Sequence, residues 1–204
     1  LEGYRNFRNG TQKWGSLSGN LDYQRTFAKP DRLLTLSYKL DNNPTSSTTE
    51  NRIYEILNYD GYNQRSIDDA FSREHTFQID YTDPLTPKHT IEFGCKYILR
   101  QNESTPEIYL QNANVEWIPD PARQNSLDYD QHIWGVYAGY TLKLSKSSFK
   151  DSPRAESFFN TCISVTPSGS TPFNNRLFYL IPSVTQTYTF TLGHARWGLL
   201  HYPR

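Results

Sequence analysis

The sequence predicts an all-β fold, an antiparallel up-and-down meander of about seven long strands. Apolar and polar residues alternate with a period of two along most of the chain, which is typical of strands with one apolar and one polar face. Short and long connections also alternate, which places the short turns together at one end of the sheet. Signals for helices are nearly absent, and only residues 66–71 have the pattern of one short turn within a loop.

The first three strands show the alternation plainly. In residues 16–27 the odd positions are apolar apart from Arg25, and the even positions are polar. The apolar positions of these three strands are Leu17, Leu21, Tyr23 and Phe27; Leu34, Leu36, Tyr38 and Leu40; and Phe77, Ile79 and Tyr81. Each strand therefore has one wet face and one apolar face.

The later strands follow the same rule. Their apolar positions are Ile91, Phe93, Cys95, Tyr97 and Leu99; Trp134, Val136, Ala138, Tyr140, Leu142 and Leu144; and Val184, Tyr188, Phe190 and Leu192. Another strand begins near Phe149, where Pro153 removes a backbone donor from what should be an interior strand. We therefore expect an irregularity at Pro153.

The connections distinguish between two all-β architectures. The short turns are residues 28–31, 83–88 and 145–148, whereas the long polar connections are residues 41–72, 101–126 and 166–176. A soluble sandwich usually mixes loop lengths at both ends, whereas a transmembrane barrel has short turns at one end and long loops at the other. The pattern indicates an incomplete segment of a large transmembrane β-barrel.

The composition agrees with a barrel of this kind. Only 36% of the 204 residues are apolar and the mean hydropathy is −0.74, yet aromatic residues make up 15%. A water-filled lumen explains the low hydropathy, because it lets half of every strand be polar. Equal numbers of basic and acidic residues exclude a simple polybasic nucleic-acid binder. The chain has no methionine, which we interpret as the mark of a piece of a longer protein.

Aromatic residues near strand ends suit the two interfaces of a membrane, where a ring is half wet. Tyr23, Phe27, Tyr81 and Trp134 are the candidates for such girdles. The alternative is that these rings pack the core of a soluble β-protein. The alternation of short and long connections favours the girdles.

No catalytic, cofactor-binding or metal-binding set stands out, and ligand-binding residues cannot be assigned. The histidines are His75, His89, His132, His194 and His201, and none forms a helical pair or an HExxH motif. Asp60, Asp68 and Asp69 could bind a cation, although a solvated loop is the favoured interpretation. Asp128 and Asp130 share one strand face, and we expect them to face the lumen.

Two cysteines and a set of aromatic residues leave further alternatives open. Cys95 and Cys162 lie in different predicted strands, so two free thiols are favoured over one disulfide bond. Gly169 and residues 166–171 form a polar loop without a phosphate-binding motif. Aromatic residues of the long connections could stack on ligands, especially sugars, although packing within the loops is favoured. They are Tyr54, Tyr59, Tyr62, Tyr109 and Trp117.

Several segments together carry a family resemblance. They are residues 20–27 (NLDYQRTF), 33–38 (LLTLSY), 78–85 (QIDYTDPL), 89–97 (HTIEFGCKY), 128–134 (DYDQHIW), 137–140 (YAGY) and 180–184 (LIPSV). In their order and spacing the chain resembles the TonB-dependent-receptor-like outer-membrane β-barrel family, from about Trp14 to Leu192. No single motif is diagnostic alone.

This resemblance implies a segment of a barrel in the outer membrane of a Gram-negative bacterium. Such receptors import large or scarce nutrients, using energy passed on by TonB. The partners implied are outer-membrane lipid and, in the full-length protein, a plug domain, TonB and a nutrient ligand. A surface lipoprotein is a further partner to consider, and no enzymatic activity, cofactor or nucleic acid is implied. The plug is absent here, so we expect the segment alone not to transport.

The end of the chain departs from the family pattern. Residues 1–192 are assigned to the partial barrel, whereas residues 193–204 lose the alternation. We expect an irregular terminus there, and a truncated or frame-slipped end is the hypothesis, with a divergent but real terminus as the alternative. The second function considered for the whole chain is a soluble, aromatic-rich β-sandwich that binds a ligand such as a carbohydrate.

Overall fold

A computed structural model confirms the predicted fold class. It describes residues 3–58, 61–112, 114–190 and 193–200, in which twelve strands form one antiparallel sheet. The strands are β1 (Gly3–Trp14), β2 (Leu17–Thr26), β3 (Leu33–Leu57), β4 (Gln64–Thr86), β5 (His89–Gln111), β6 (Trp117–Pro119), β7 (Ser126–Lys143), β8 (Ser147–Asp151), β9 (Arg154–Thr166), β10 (Gly169–Ile181), β11 (Ser183–Phe190) and β12 (Gly193–Leu200). One 3-10 turn, η1, spans Pro121–Arg123. None of the described residues forms a helix long and apolar enough to cross a membrane.

Several of these strands are pieces of one pass across the sheet. β1 and β2 follow each other along β3, β9 and β8 lie along β7, and β10 and β11 lie along β9 and β8. With β3, β4, β5, β7 and β12, the described part of the chain makes eight passes in sequence order. This is the predicted meander, and the eighth pass is β12.

Proline explains where the passes are interrupted. Pro44 has no backbone N–H to offer Gly15, although its carbonyl accepts from the Gly15 N–H at 2.9 Å, and β1 and β2 are separated at this point. Pro153 stands in the same relation to Ala138, between β8 and β9. The pairing keeps its register on both sides of Pro153, so the predicted irregularity is a local break in the ladder.

The long connections are mostly strand, which corrects the prediction of long loops. β3 and β4 stay paired as a hairpin as far as Asn51 and Gln64, and β3 continues to Leu57. Residues 66–71 lie within β4 rather than in a helical turn. Likewise, β9 and β10 meet at a turn of two residues, with Gly169 at φ 146°. In the β3–β4 extension the regular alternation of apolar and polar side chains is lost but the backbone pairing continues.

The structure also differs from the prediction of an irregular terminus at residues 193–204. Gly193–Leu200 forms β12, which pairs with β11 along its whole length. A β-strand requires backbone hydrogen bonds to a neighbouring strand, and it can form where apolar and polar side chains do not alternate. Residues 191–192 and 201–204 lie outside the described residues, and the hypothesis of a frame-slipped end stays a prediction.

The sheet has no conventional hydrophobic core. Among the described residues, Ile133 is the one buried hydrophobic residue and Asp83 the one buried charged residue. β1 and β2 lie at one edge of the open sheet and β12 at the other. A sandwich requires two sheets packed face to face, so the alternative of a soluble β-sandwich is wrong for this fold.

Candidate functional site

Strand register sorts the side chains onto two opposite faces of the sheet. The first, which we call the apolar face, holds Leu36, Ile79 and Val136 in neighbouring positions, together with Cys95 between the last two. Ile79 is 50% exposed and Val136 is 51% exposed, although neither carries a polar group. A continuous exposed apolar surface of this kind requires a non-aqueous environment.

A row of aromatic rings crosses this face at the end remote from the short turns. Tyr38, Phe77, Tyr97 and Trp134 are directly paired across four strands, with successive ring centroids 4.8, 6.3 and 4.3 Å apart. We call this the distal row. Trp134 therefore lies where a girdle residue was predicted. Two positions beyond these rings, the face carries His75 on β4 and His132 on β7 but Leu40 on β3 and Leu99 on β5. Four positions beyond the rings it is polar, with Asn42, Arg73, Gln101 and Asp130.

Histidine side chains border the distal row. The Tyr38 hydroxyl lies 3.0 Å from Nδ1 of His75, and the Tyr97 hydroxyl lies 2.7 Å from Nδ1 of His132. Both pairs are hydrogen-bonded across a strand seam. These histidines therefore complete an amphipathic row.

A second aromatic group lies near the short turns. Phe27 and Tyr81 meet edge to face at 6.4 Å, and the Tyr140 hydroxyl lies 2.5 Å from Nδ1 of His89. Phe27 and Tyr81 thus lie at the turn end, as predicted. Tyr23 does not, because it pairs with Leu36 midway between the two groups.

The height of the apolar face matches a membrane. Counted on β7 from the bordering His132 to Leu142, this face at about 3.4 Å per residue and a tilt of about 40° is roughly 26 Å tall along the barrel axis. The lipid-facing band of an outer-membrane barrel is about 25 Å tall. The apolar face is therefore tall enough to cross the hydrocarbon layer.

The opposite face, here called the polar face, carries its own counter-ions. Lys39 Nζ lies 2.7 Å from Asp41, and Arg100 Nε lies 2.5 Å from Glu74. Two further ion pairs join Lys150 to Glu92 and Arg154 to Glu156. Charges of this density on one side of a single sheet are compatible with water and not with lipid.

One tyrosine crosses the polar face over a glycine. The Tyr137 ring lies against Gly94 on β5, where an added Cβ would be 2.0 Å from Cε1 of the ring. The Tyr137 hydroxyl donates to the Asp80 carboxylate on β4. Gly94 therefore provides the space through which Tyr137 connects β7 to β4.

A buried carboxylate fastens the turn between β2 and β3. Asp83 is 6% exposed and accepts from Lys29 Nζ at 2.9 Å and from Arg32 Nη2 at 2.8 Å. The Tyr81 hydroxyl also donates to Asp83, at 3.3 Å. Because both cations come from the turn, these bonds hold the turn against β4.

At the other end of the strands, arginines organise the extended hairpins. The Arg65 guanidinium lies 4.4 Å from the Trp117 ring and 2.9 Å from the Glu50 carboxylate. Arg65 and, to a smaller degree, Arg52 lower the pKa of Glu50 through hydrogen bonds. Arg123 lies 4.2 Å from the Tyr62 ring. These contacts join the β5–β7 connection to the β3–β4 hairpin.

The loop aromatics are therefore mostly engaged within the protein. Besides Tyr62 and Trp117, Tyr109 donates to Glu107 at 2.6 Å and Tyr54 bonds to Arg52. Tyr59 lies outside the described residues. The contacts are those of packing, which was the favoured interpretation.

The acidic candidates do not gather into a site. Asp68 accepts from the Ser104 hydroxyl at 2.8 Å, and Asp60 lies outside the described residues. No cluster of three or more His, Cys, Asp or Glu side chains suited to a metal ion occurs in the described part of the chain. Asp69 is on the opposite face from Asp68, because the two are consecutive in β4.

The prediction that Asp128 and Asp130 face the lumen is wrong. Both share the face of Trp134, since they precede it by even numbers of residues in an unbroken register. They lie beyond the distal row, where this face has become polar, and Asp130 accepts from Gln101 at 3.2 Å. Their charge is therefore placed above the apolar band.

The two cysteines are both free, as favoured from the sequence. Cys95 is on the apolar face beside Val136, whereas Cys162 pairs with Tyr129 on the polar face. The side chains of the remaining histidines, His194 and His201, are outside the part of the chain that the structure describes.

Three features were missed from the sequence: the Tyr137 bridge over Gly94, the Asp83 cluster, and the tyrosine–histidine pairs. Each joins residues from different strands. The residue types alone give no signal for them, because the contacts depend on register. The one sequence signal for the distal row is the spacing of His132 and Trp134, which are two residues apart and therefore share a strand face.

Comparison with known proteins adds a family match. Residues 25–196 match the model described as "Outer membrane protein beta-barrel family". No curated protein sequence matches the chain.

Two solved structures are similar. The crystal structure of ferric citrate transporter FecA in the unliganded form shares 13% identity at a TM-score of 0.42, over 78% of this chain and 25% of that one. The ferric yersiniabactin uptake receptor FyuA from Yersinia pestis shares 6% identity at a TM-score of 0.43, over 81% of this chain and 28% of that one. The chain spans about a quarter of the length of these two structures.

Proposed function

The chain belongs to the outer membrane protein β-barrel family, and from this premise we propose that it forms part of a TonB-dependent-type receptor that imports large or scarce nutrients. Its place is the bacterial outer membrane. The observation that carries the proposal is the division of one sheet into an apolar face of membrane height and an ion-paired polar face. The proposal gives the chain a transport role and no catalytic one.

The two ends of the strands differ, and this difference supports one orientation of the sheet in the outer membrane. The β2–β3 and β4–β5 turns at one end of the strands are short, and the Asp83 cluster holds the first of them against β4. The hairpins at the opposite end extend far beyond the distal row. Bacterial outer-membrane barrels have short periplasmic turns and longer extracellular segments. We therefore assign the Asp83 end to the periplasm and the Arg65–Trp117 contact to the cell surface.

The proposed partners follow from this orientation. Outer-membrane lipid covers the apolar face, and in the full-length protein a plug domain fills the space beside the polar face. TonB acts from the periplasm, and the nutrient, with a surface lipoprotein as a further partner, approaches from outside. An open sheet encloses no channel, so the chain by itself is transport-incompetent under this proposal.

The test uses the full-length protein that contains this chain. Deletion of its gene should abolish growth on one scarce nutrient among a panel of metal chelates, peptides and glycans. Loss of TonB in the intact strain should have the same effect, because both remove the same energised step. The protein should also sediment with the outer membrane and require detergent for release. Uptake that persists without TonB would contradict the proposal.

A further inference from the structure

A small recess in the polar face has an excess of positive charge. It has a volume of about 210 Å³ and lies where β5, β7 and β9 run side by side. Its charged lining consists of Lys96, Arg100, Arg154 and Glu156, which sum to two positive charges. Ile98, Ile133 and Phe158 form its apolar part.

Glycine creates the recess. Gly135 lies directly between Lys96 on β5 and Glu156 on β9, and a Cβ at this position would meet no atom closer than 3.8 Å. An added methyl group at Gly135 would therefore be in ordinary contact with Arg154, Glu156 and Lys96, whereas the Tyr137 ring already fills the space at Gly94. The opening faces the same side as the ion pairs of the polar face.

Lys96 is the cation that the wall leaves uncompensated. Arg100 bonds to Glu74 and Gln131, and Arg154 pairs with Glu156. Within the described ranges, the Lys96 ammonium group has neither a hydrogen bond nor an ion pair. Asp80 lies on the same face of β4, two residues beyond Gln78, which pairs with Lys96. Its two carboxylate oxygens already accept hydrogen bonds from Gln78 and Tyr137.

We propose that this recess binds a carboxylate or phosphate group inside the lumen, with Lys96 as its principal ligand. An anion there would meet Lys96 and the outer N–H groups of Arg100 and Arg154, against an apolar floor that weakens competition from water. This inference rests on the proposed function, and gives that function a chemical class of cargo or lumen segment: one that carries an anionic group.

The test measures the charge of the recess in the full-length protein in outer-membrane fractions. Cys95 and Cys162 are replaced by alanine, and Gly135→Cys places a thiol in the recess. Negatively charged methanethiosulfonate should react faster than the positively charged reagent by about fivefold, since one uncompensated charge lies within a few ångströms. Adding Lys96→Gln should lower that ratio at least about threefold, whereas Lys96→Arg should preserve it.

A matched position controls for general access. Ser37→Cys lies on the polar face near Asp22, whose carboxylate accepts a bond from Asn20. The thiol at position 37 should react faster with the positively charged reagent, and Lys96→Gln should leave the ratio of the two rates unchanged. If neither thiol reacts with either reagent, the polar face lines no water-filled lumen and the proposed function itself fails. If both react but Lys96→Gln leaves the ratio at Gly135→Cys unchanged, only the recess proposal is overturned.

Two further arms identify the source of the anion. Inorganic phosphate that slows modification of Gly135→Cys in a saturable, Lys96-dependent way indicates a free anionic solute. A carbodiimide cross-link from Lys96 to a carboxyl group of the same polypeptide, lost in Lys96→Arg, indicates a segment within the lumen. Absence of both the phosphate protection and the cross-link would overturn the proposal.

Discussion

Gly94 and Tyr137 show how one residue decides whether two strands can be joined across a third. The Tyr137 ring reaches Asp80 because the intervening residue has no side chain. Gly94→Ala would bring a Cβ within 2.0–2.6 Å of two ring atoms and the hydroxyl oxygen of Tyr137, so the ring must leave and the bond to Asp80 must break. We expect a loss of about 1–3 kcal/mol in the free energy of unfolding.

Gly135→Ala is the control for this substitution, because it adds the same methyl group to the polar face without a close contact. Urea unfolding of the full-length barrel in detergent, followed by the heat-dependent shift of its electrophoretic band, measures both variants. Equal stabilities for the two variants would contradict the role assigned to Gly94.

Asp83 gives a second prediction at the scale of single residues. Asp83→Asn removes the charge from a buried position that serves both Lys29 and Arg32. We expect the barrel to lose about 2 kcal/mol, less than for a fully buried pair because both cations are one-third exposed. Asp31→Asn in the same turn should have little effect, since asparagine tolerates its φ of 61°.

The measurement for Asp83 is the urea midpoint of the full-length protein with each variant. A midpoint for Asp83→Asn that equals that for Asp31→Asn would show that the cluster does not hold the turn.

Residue roles could be predicted from the sequence only where they follow from parity along one strand. Trp134 was placed correctly because alternation along β7 puts it on the apolar face. The same parity puts Asp128 and Asp130 on that face, but their charge suggested the lumen. The prediction was wrong because one face of a strand contacts lipid only where the membrane surrounds it. Beyond the membrane, the same face contacts water and can carry charge.

Among the elements, the extended hairpins differ most from the prediction. β3 and β4 pair as far as residues 51 and 64, although alternation stops near Leu40. A membrane imposes alternation only on the segment that it surrounds, so residues outside have no such pattern and were interpreted as loops. Backbone pairing needs no alternation, and the hairpin therefore continues.

The Glu50 cluster predicts how the β3–β4 hairpin responds to acid. Arg65 and Arg52 lower the pKa of Glu50, so the charged carboxylate stabilises the folded hairpin. This stabilisation is fully present above the ordinary glutamate pKa of about 4.5 and is lost as pH falls through the lowered pKa. Hydrogen exchange of residues 48–66, corrected for its intrinsic pH dependence, should show reduced protection at acid pH.

Glu50→Gln should remove this pH dependence by lowering protection at neutral pH. Glu103→Gln, on the neighbouring part of the sheet, should leave it in place. An unchanged pH profile in Glu50→Gln would contradict the assignment.

For the whole molecule, the division between the two faces predicts that the polar face tolerates an added charge and that the apolar face does not. Ile79→Lys puts a cation on the apolar face between the two aromatic groups, and should cost about 2–4 kcal/mol in barrel stability. Gln78→Lys, one residue away on the polar face, should cost much less because its side chain stays in water. The fraction of folded barrel recovered from the outer membrane measures both, and similar losses would contradict the division.

The fold of the whole molecule was more predictable than its candidate site. Alternation and turn spacing determine a meander with one apolar face, and both can be counted along the chain. The recess around Lys96 requires three strands in register and a glycine opposite the lysine. That register is a property of the assembled sheet, so no pattern along one strand could indicate the recess.

The most direct test of the central claim is the environment of successive residues along β7. Spin labels attached one at a time to cysteines at positions 133–140 of the full-length protein, with Cys95 and Cys162 replaced, report collisions with oxygen in lipid and with a nickel chelate in water. Oxygen accessibility should peak at 134, 136, 138 and 140, and nickel accessibility at 133, 135, 137 and 139. Uniform values, or the reverse alternation, would contradict a sheet with lipid on one face and a water-filled lumen on the other.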